Sequence, residues 1–170
     1  MDPIIRQAAS GDVEVLTRLI NAAFEVERFF KNGDRTSPDG VRALLATGAM
    51  LIAEDGAGGP AGSVYVEIRG DRVYIGMMSV DPSHQGRGLG RTLMTAAEAY
   101  GRARGCLVAD ITVVNLRTEL PPFYRRLGYV ETGTEPFPEA TLRPCHLVTM
   151  SKPLAGDADS PGGGPGVVRS

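Results

Sequence analysis

The sequence predicts an α/β (α+β) fold in which a mixed, mostly antiparallel sheet is flanked by about four helices. Three consecutive segments with strand patterns are joined by short turns, which is typical of an antiparallel meander. A later strand, helix and strand imply a parallel pair with a right-handed crossover. The chain has 170 residues, 42% apolar and 22% charged, as in an ordinary globular protein. We therefore expect one domain over residues 1–154 and a disordered Gly/Pro-rich tail over residues 155–170.

The first part of the chain combines a short strand with two helices. Ile4–Ile5 opens the strand, and apolar residues within 13–24 then recur at helical spacing. A second helix is predicted to start at Ser37–Pro38, because serine is a favoured cap and proline is favoured at the first helical position. It is expected to end near Gly48.

The meander occupies the middle of the chain. Strands are predicted over residues 50–54, 63–69 and 73–80. They are separated by the glycine-containing turns 56–62 and 70–71. Because the connections are short, consecutive strands should pair antiparallel.

The rest of the chain returns to helical spacing and then to strands. The apolar period predicts a helix that begins at Leu89 and ends at Gly105. A buried strand is predicted over residues 107–114, and a short helix over 121–127. Two final strands are expected, over the following ranges: 129–134 and 146–152.

Composition excludes several classes of function. The formal net charge of -2 and the pI near 5.7 argue against nucleic acid as the main partner. No apolar run approaches the length of a membrane span. Cys106 and Cys145 are interpreted as buried free thiols of a reduced, cytoplasmic protein. We expect no metal site, because these cysteines and the histidines His84 and His146 lack ligand spacing.

The segment from Ser79 to Gly90 is the part of the chain richest in chemical signals. It links a predicted strand to a predicted helix, and Gly86, Gly88 and Gly90 occupy alternate positions. Such a turn exposes backbone N–H groups and the positive end of a helix dipole, so it favours a phosphate or pyrophosphate. We therefore predict a phosphate-binding turn.

Two common phosphate-binding patterns do not fit this turn. A Walker A loop has four residues between its glycines and then Gly-Lys-Ser/Thr, whereas three residues separate Gly86 from Gly90, and Arg91-Thr92 follows. A dinucleotide fingerprint spaces its glycines differently and needs an acid at a strand end, whereas Asp110 lies within a strand.

The turn resembles the Gln/Arg-x-x-Gly-x-Gly/Ala signature of the GCN5-related N-acetyltransferase (GNAT) family, at Gln85, Gly88 and Gly90. The segment Phe123–Tyr129 resembles a second family element, aromatic-Tyr-x-x-x-Gly-aromatic. The chain is identified as a member of this family over roughly residues 4–153. The resemblance implies a GNAT-type acyl-CoA N-acyltransferase fold whose sheet splays between the fourth and fifth strands.

The resemblance also implies that acetyl-CoA is the co-substrate. Its pantetheine arm would enter the gap between the splayed strands and pair with main-chain groups, as an added strand does. Asn115 is included among the expected contacts, although it lies nine positions before the tyrosine, where family members often have an Asn seven positions before it. The expected coenzyme contacts are Met78, Ser79, Val80, Gln85, Gly86, Arg87, Gly88, Leu89, Gly90, Arg91, Asn115, Phe123 and Tyr124.

Acetyl transfer to an amine needs an acid for the leaving thiolate, an oxyanion donor and a base. Tyr124 matches the family's tyrosine, so it is the candidate acid; the alternative is packing beside Phe123. The oxyanion donor is expected to be a backbone N–H near Ser79 or Val80. Many family members carry an acidic base on the fourth strand. Residues 73–80 contain no acid, so the base is unassigned. A water chain could serve, and the nearest acids by position are Glu67, Asp110 and Glu119.

The resemblance implies an N-acetyltransferase that acts on a primary amine of a small molecule or peptide, by direct attack in a ternary complex. A catalytically silent coenzyme-A sensor is the main alternative, since the fourth strand lacks an acid. A longer acyl group or a hydroxyl acceptor would use the same site. Dimers are common in this family, so a homodimer is one expected state. The acceptor is expected to meet the region containing Glu25, Glu27, Arg28, Phe29, Phe30, Lys31, Asp34 and Arg35.

Overall fold

The computed structural model describes residues 3–154. The predicted tail, residues 155–170, lies outside the described residues. A seven-stranded sheet in the order β1-β2-β3-β4-β5-β7-β6 forms the centre of the structure. Its strands are β1 (Ile4–Gln7), β2 (Ala49–Glu54), β3 (Pro60–Arg69), β4 (Arg72–Val80), β5 (Val108–Val114), β6 (Val130–Pro136) and β7 (His146–Pro153).

Four α-helices flank this sheet within the described residues. They are α1 (Val13–Ala23), α2 (Pro38–Thr47), α3 (Leu89–Ala103) and α4 (Leu120–Arg126). Helix α2 begins as predicted, because the Ser37 hydroxyl oxygen accepts a hydrogen bond from the Gly40 N–H at 3.1 Å. Helix α1 is followed at once by a 3-10 segment, Phe24–Glu27, so its last predicted residue belongs to a different type of helix.

The strand directions confirm the predicted fold class. β2, β3 and β4 pair antiparallel as a meander, and α3 connects β4 to its parallel neighbour β5. β7 then pairs antiparallel with both β5 and β6. The sheet is therefore mixed and mostly antiparallel.

The sheet splays between β4 and β5. The two strands pair only at Arg72 with Val108, Val73 with Ala109, and Tyr74 with Asp110. Residues 75–80 of β4 have no partner on β5, although β4 stays paired with β3 on its other side. An open gap therefore lies between the carboxyl ends of two parallel strands.

A β-bulge bends β4 at the same place. Ser63 of β3 faces Ser79 and Tyr65 faces Gly76, so two steps along β3 correspond to three along β4. Met77 adopts a φ of 52°, which an unbranched residue tolerates only at some cost. The bulge therefore lies beside the gap, where it turns main-chain groups away from regular pairing.

Two apolar clusters cover the two faces of the sheet. One is formed with α3 and α4 and includes Leu93 and Tyr124, with Met78 packed against it. The other is formed with α1 and α2 and includes Leu16, with Met77 packed against it. Neighbouring residues of the bulge thus contact opposite faces. No helix within residues 3–154 has the length and apolar character needed to cross a membrane.

Candidate active site

A cavity of about 750 Å³ follows the gap between β4 and β5. At one end it is lined by the glycine-rich turn and Phe123, on the face covered by α3 and α4. At the other end it is lined by Phe24 and Glu27 after α1, and by the segment Phe137–Glu139. The cavity therefore passes through the sheet, and its volume suits a cofactor-sized ligand.

The glycine-rich turn has the backbone conformation that phosphate binding needs. Gly86 and Gly88 have φ values of 83° and 77°, in the left-handed region that favours glycine. Gly88 is the N-cap of α3, whose first N–H groups have no intrahelical acceptor. Gly88 and the first residues of α3 line the cavity, so these donors and the helix dipole can hold an anion there.

The two family motifs meet in space. A side chain added at Gly90 would place its Cβ 3.4 Å from Cε of Met78 and 3.4 Å from Cζ of Phe123. The first turn of α3, the bulged strand β4 and helix α4 therefore lie in contact around one end of the cavity. The absence of a side chain at Gly90 keeps this approach close.

All but three of the expected coenzyme residues line the cavity. Those that line it are Met78, Val80, Gln85, Gly86, Gly88, Leu89, Gly90, Arg91, Phe123 and Tyr124. These residues, which were expected from the family resemblance, come from β4, the turn, α3 and α4 and line one surface.

The other three expected contacts have different surroundings. The Ser79 side chain is buried, and its hydroxyl donates to the Met77 carbonyl at 3.0 Å. The Asn115 side-chain oxygen accepts from the His146 N–H at 2.8 Å, which extends the pairing of β5 with β7. Arg87 lines a smaller neighbouring cavity of about 310 Å³, together with His84.

Tyr124 lines the large cavity. Its side chain is 7% exposed, and its ring packs against those of Phe123 and Tyr129 at centroid distances of 5.0 Å and 6.0 Å. The hydroxyl makes no hydrogen bond within residues 3–154 and is left to face the cavity. Burial raises the pKa of Tyr124 to about 12, against the opposing charge of Arg117. The phenol therefore keeps its proton at neutral pH.

The three acids closest in sequence have separate placements. Glu67 accepts from the Tyr65 hydroxyl at 2.7 Å, and Asp110 accepts from Arg72 at 2.7 Å, both outside the cavity. Glu119 lines the cavity, but its side chain is 60% exposed and pairs with a nearby arginine at 2.8 Å.

Glu27 and Arg117, which sequence reasoning did not assign to the chemistry, both line the cavity. Glu27 lies at the end of the 3-10 segment after α1, and its side chain is only 10% exposed. Its Oε2 accepts a hydrogen bond from Arg117 Nη1 at 3.0 Å. Burial raises the pKa of Glu27, although the charges of Arg117, Arg35 and Lys31 oppose the rise. No local pattern distinguished Glu27 from the other charged residues around it.

Metal-ligating residues are scattered within the described structure. No group of three or more His, Cys, Asp or Glu side chains among residues 3–154 is arranged to hold a metal ion. Cys106 is buried and Cys145 is half-buried, and both are free. Burial raises the pKa of the Cys106 thiol, as for a structural cysteine. His84 Nε2 lies 3.2 Å from Asp55 Oδ2, which ties it to the turn between β2 and β3.

A family model for the acetyltransferase (GNAT) domain matches residues 46–131. This range is half of the chain and includes the glycine-rich turn and Tyr124. The chain belongs to the GNAT family. The resemblance inferred from Gln85, Gly88 and Gly90 is thereby confirmed.

The individual relatives share only part of their sequence with this GNAT protein. Streptothricin acetyltransferase from Streptomyces lavendulae is 30% identical over 112 residues, which are 65% of this chain. The matched part spans 59% of that relative's length.

Solved structures show the same fold. The ribosomal-protein-S18-alanine N-acetyltransferase from Escherichia coli has a TM-score of 0.74 at 16% identity, over 89% of this chain and 94% of its own. A phosphinothricin acetyltransferase from Sinorhizobium meliloti, solved in complex with AcCoA, has a TM-score of 0.72 at 18% identity. That likeness covers 90% of this chain and 89% of the other.

Proposed function

We propose that this GNAT protein transfers an acetyl group from acetyl-CoA to a primary amine of a small molecule or peptide. The observation that carries the proposal is a single cavity that joins the glycine-rich turn, the unpaired end of β4 and the free hydroxyl of Tyr124. The Sinorhizobium protein of the same fold was solved with AcCoA, which supports this co-substrate.

The coenzyme is expected to bind along the cavity from the turn toward Tyr124. Its pyrophosphate would accept hydrogen bonds from the N–H groups that begin α3 at Gly88. Its pantetheine amides would pair with main-chain groups of residues 75–80, which lack a partner on β5. Backbone N–H groups near the bulge would donate to the thioester oxygen as it gains charge.

The reaction removes two protons from a substrate ammonium. One proton ends on the coenzyme sulfur and the other reaches solvent, while the amine nitrogen bonds to the acetyl carbon and the C–S bond breaks. Glu27 is the proposed first proton acceptor, because its carboxylate is buried in the cavity and its Oε1 makes no hydrogen bond within residues 3–154. A raised pKa makes Glu27 a stronger base than an ordinary glutamate.

Tyr124 is the proposed donor to the leaving sulfur. A thiol has an ordinary pKa of about 8.5, so a phenol with a pKa of about 12 acts mainly by hydrogen bonding as the C–S bond breaks. The charge of Arg117 lowers the pKa of Tyr124 and assists this donation.

The free hydroxyl of Tyr124 also favours an enzyme over a coenzyme-A sensor. A sensor would not need a hydroxyl at this position, because coenzyme binding alone uses no donor to the coenzyme sulfur. Two free cysteines, Cys106 and Cys145, suit the cytoplasm, which is the proposed site of the reaction.

The test is release of free thiol from acetyl-CoA by the full chain. Amino acids, polyamines, aminoglycosides and peptides would be supplied in turn, with a chelator present. Amine-dependent thiol release is expected for at least one class. Coenzyme binding without turnover on any acceptor would favour the sensor instead, and no coenzyme binding would refute both.

A further inference from the structure

Arg35 stands out among the cations between α1 and α2. It lines the acceptor end of the cavity, and its guanidinium carbon lies 5.1 Å from the centre of the Phe24 ring. Arg28 and Lys31 from the same segment each have carboxylate partners. Within residues 3–154, Arg35 has neither an ion pair nor a hydrogen bond.

The stacking determines what Arg35 can bind. A guanidinium that lies over an aromatic ring is held by its flat face, which leaves the N–H groups along its edge free. These donors form a planar fork that matches the two oxygens of a carboxylate. Arg35 is therefore oriented for an anionic group inside the cavity.

Glu27 supplies the opposite charge in the same cavity, which both side chains line. The charge of Arg35 lowers the pKa of Glu27, so the two side chains lie within electrostatic range of each other. Glu27 uses Oε2 to accept from Arg117, and its Oε1 has no partner within residues 3–154. An ammonium group can therefore bind at Oε1 while an anion binds at Arg35.

We propose that the acceptor is a small amino-acid-like molecule, in which Arg35 binds a carboxylate and Glu27 binds the amine that becomes acetylated. This rests on the proposed acetyltransferase function. The apolar remainder of the acceptor would lie against Phe24, Phe137 and Leu147, which line the same cavity. An acceptor without an anionic group would leave the Arg35 fork unpaired.

The test compares pairs of acceptors that differ only by a carboxylate. The pairs are leucine with isopentylamine, phenylalanine with phenethylamine, and γ-aminobutyrate with propylamine, assayed by thiol release at fixed acetyl-CoA. For the wild type, kcat/KM should favour the carboxylate-bearing member of at least one pair by about 10- to 100-fold. In Arg35→Gln this ratio should fall to near one, mainly through KM.

The control is Arg42→Gln, which removes an equal charge from exposed α2, where Arg42 pairs with Asp39 outside the cavity. Arg42→Gln should leave kcat/KM unchanged for both acceptors of each pair. A wild type without preference for the carboxylate, or an equal loss for both members in Arg35→Gln, would overturn the proposal.

Calorimetry separates this proposal from the proposed function. Each acceptor would be titrated into the protein with free coenzyme A present, so that no transfer occurs. Binding of an amino acid that is lost in Arg35→Gln, without thiol release in the assay, would support the acceptor class and refute the transfer. Thiol release with amines alone would support the transfer and refute the acceptor class.

Discussion

Arg117 Nη1 donates to Glu27 Oε2 at 3.0 Å, across 90 positions of the sequence. Both side chains are largely buried, at 15% and 10% exposure. Arg117 also pairs with Glu119 at 2.8 Å and lowers the pKa of Tyr124. The pair therefore fixes the 3-10 segment after α1 to the residues that precede α4. Removing one partner of such a pair leaves a buried charge uncompensated.

The first prediction concerns Glu27 as the proton acceptor. Its pKa is raised, so it remains protonated to a higher pH than an ordinary glutamate, and wild-type kcat should fall as pH is lowered through that value. Arg117, Arg35 and Lys31 face Glu27 and oppose the rise. Glu27→Gln should lower kcat by about 10²- to 10⁴-fold and remove this acid limb.

The matched control for this change is Glu25→Gln. Glu25 lies two residues away in the same 3-10 segment, pairs with Arg28 at 2.7 Å and does not line the cavity. It should keep the wild-type pH profile. An acid limb that persists unchanged in Glu27→Gln would assign the titration to another group.

The second prediction concerns the Tyr124 hydroxyl. Tyr124→Phe keeps the ring contacts but removes the proposed donor, so kcat should fall by about 10²- to 10⁴-fold with the coenzyme Kd within about threefold. Tyr129→Phe is the control, because its hydroxyl donates to Glu98 at 2.8 Å instead. It should lower stability by about 1–3 kcal/mol and leave kcat unchanged. A loss mainly in Kd for Tyr124→Phe would indicate a packing role.

The third prediction concerns the glycine-rich turn. Gly88→Val places a branched side chain at a φ of 77°, so the turn should distort and the coenzyme Kd should rise at least about tenfold, or about 1.4 kcal/mol. No atom lies within 4 Å of an added Cβ, so the fold should survive. Gly58→Val has a similar φ of 85° outside the cavity and should bind normally. Equal affinity in both variants would mean that the phosphates bind elsewhere.

The fourth prediction concerns coenzyme binding without a metal. Main-chain donors that begin α3 can hold the pyrophosphate themselves, so acetyl-CoA should bind in the presence of chelator. At about 100 times Kd, a ligand that binds only the native state adds about 2.7 kcal/mol and raises Tm. The prediction would be contradicted if calorimetry showed no heat of binding and the melting temperature did not shift.

The fifth prediction concerns stability near the start of the chain. Asp12 accepts two hydrogen bonds from Arg6, at 2.9 Å and 2.8 Å, which lower its pKa from 3.8 to about 2. A lowered pKa stabilises the fold above about pH 4, and this contribution disappears as pH falls toward 2. Asp12→Asn should cost about 1 kcal/mol at pH 7, because Arg6 is 39% exposed and solvent screens the pair.

Urea denaturation at pH 7 and pH 3 would test this, and the difference between the proteins should shrink at the lower pH. The control is Asp39→Asn, since Asp39 pairs with Arg42 but is 94% exposed. It should change stability by well under 1 kcal/mol. A cost for Asp12→Asn that does not depend on pH would assign the effect to packing.

The order of elements was predictable because its causes are local. Ser37 caps α2 through its own side chain. After β4 the spacing of apolar residues changes from that of a strand to that of a helix, which predicted α3. That the glycine-rich turn and Tyr124 line one cavity was predictable for a similar reason, since both belong to short motifs.

The acceptor end depended on contacts between distant segments. The bulge at Met77 appears only when β3 and β4 are paired in register. The partner of buried Glu27 is Arg117, which comes from the segment after β5. Asn115 illustrates the same limit, because its hydrogen bond to His146 requires the register of β7. Spacing along the chain carries no signal for such pairs.

Because the cavity passes through the sheet, the residues at its two ends come from different parts of the chain. The segment shared with the family, residues 46–131, holds the turn and Tyr124, whereas residues 24–35 and 137–139 of the acceptor wall fall outside it. Under the proposed function, substitutions in that wall are expected to change which amine is accepted and to leave acetyl-CoA binding intact. A library over these two stretches that leaves Glu27 unchanged is therefore expected to sample new acceptors, because Glu27 and its pair with Arg117 belong to the proposed chemistry.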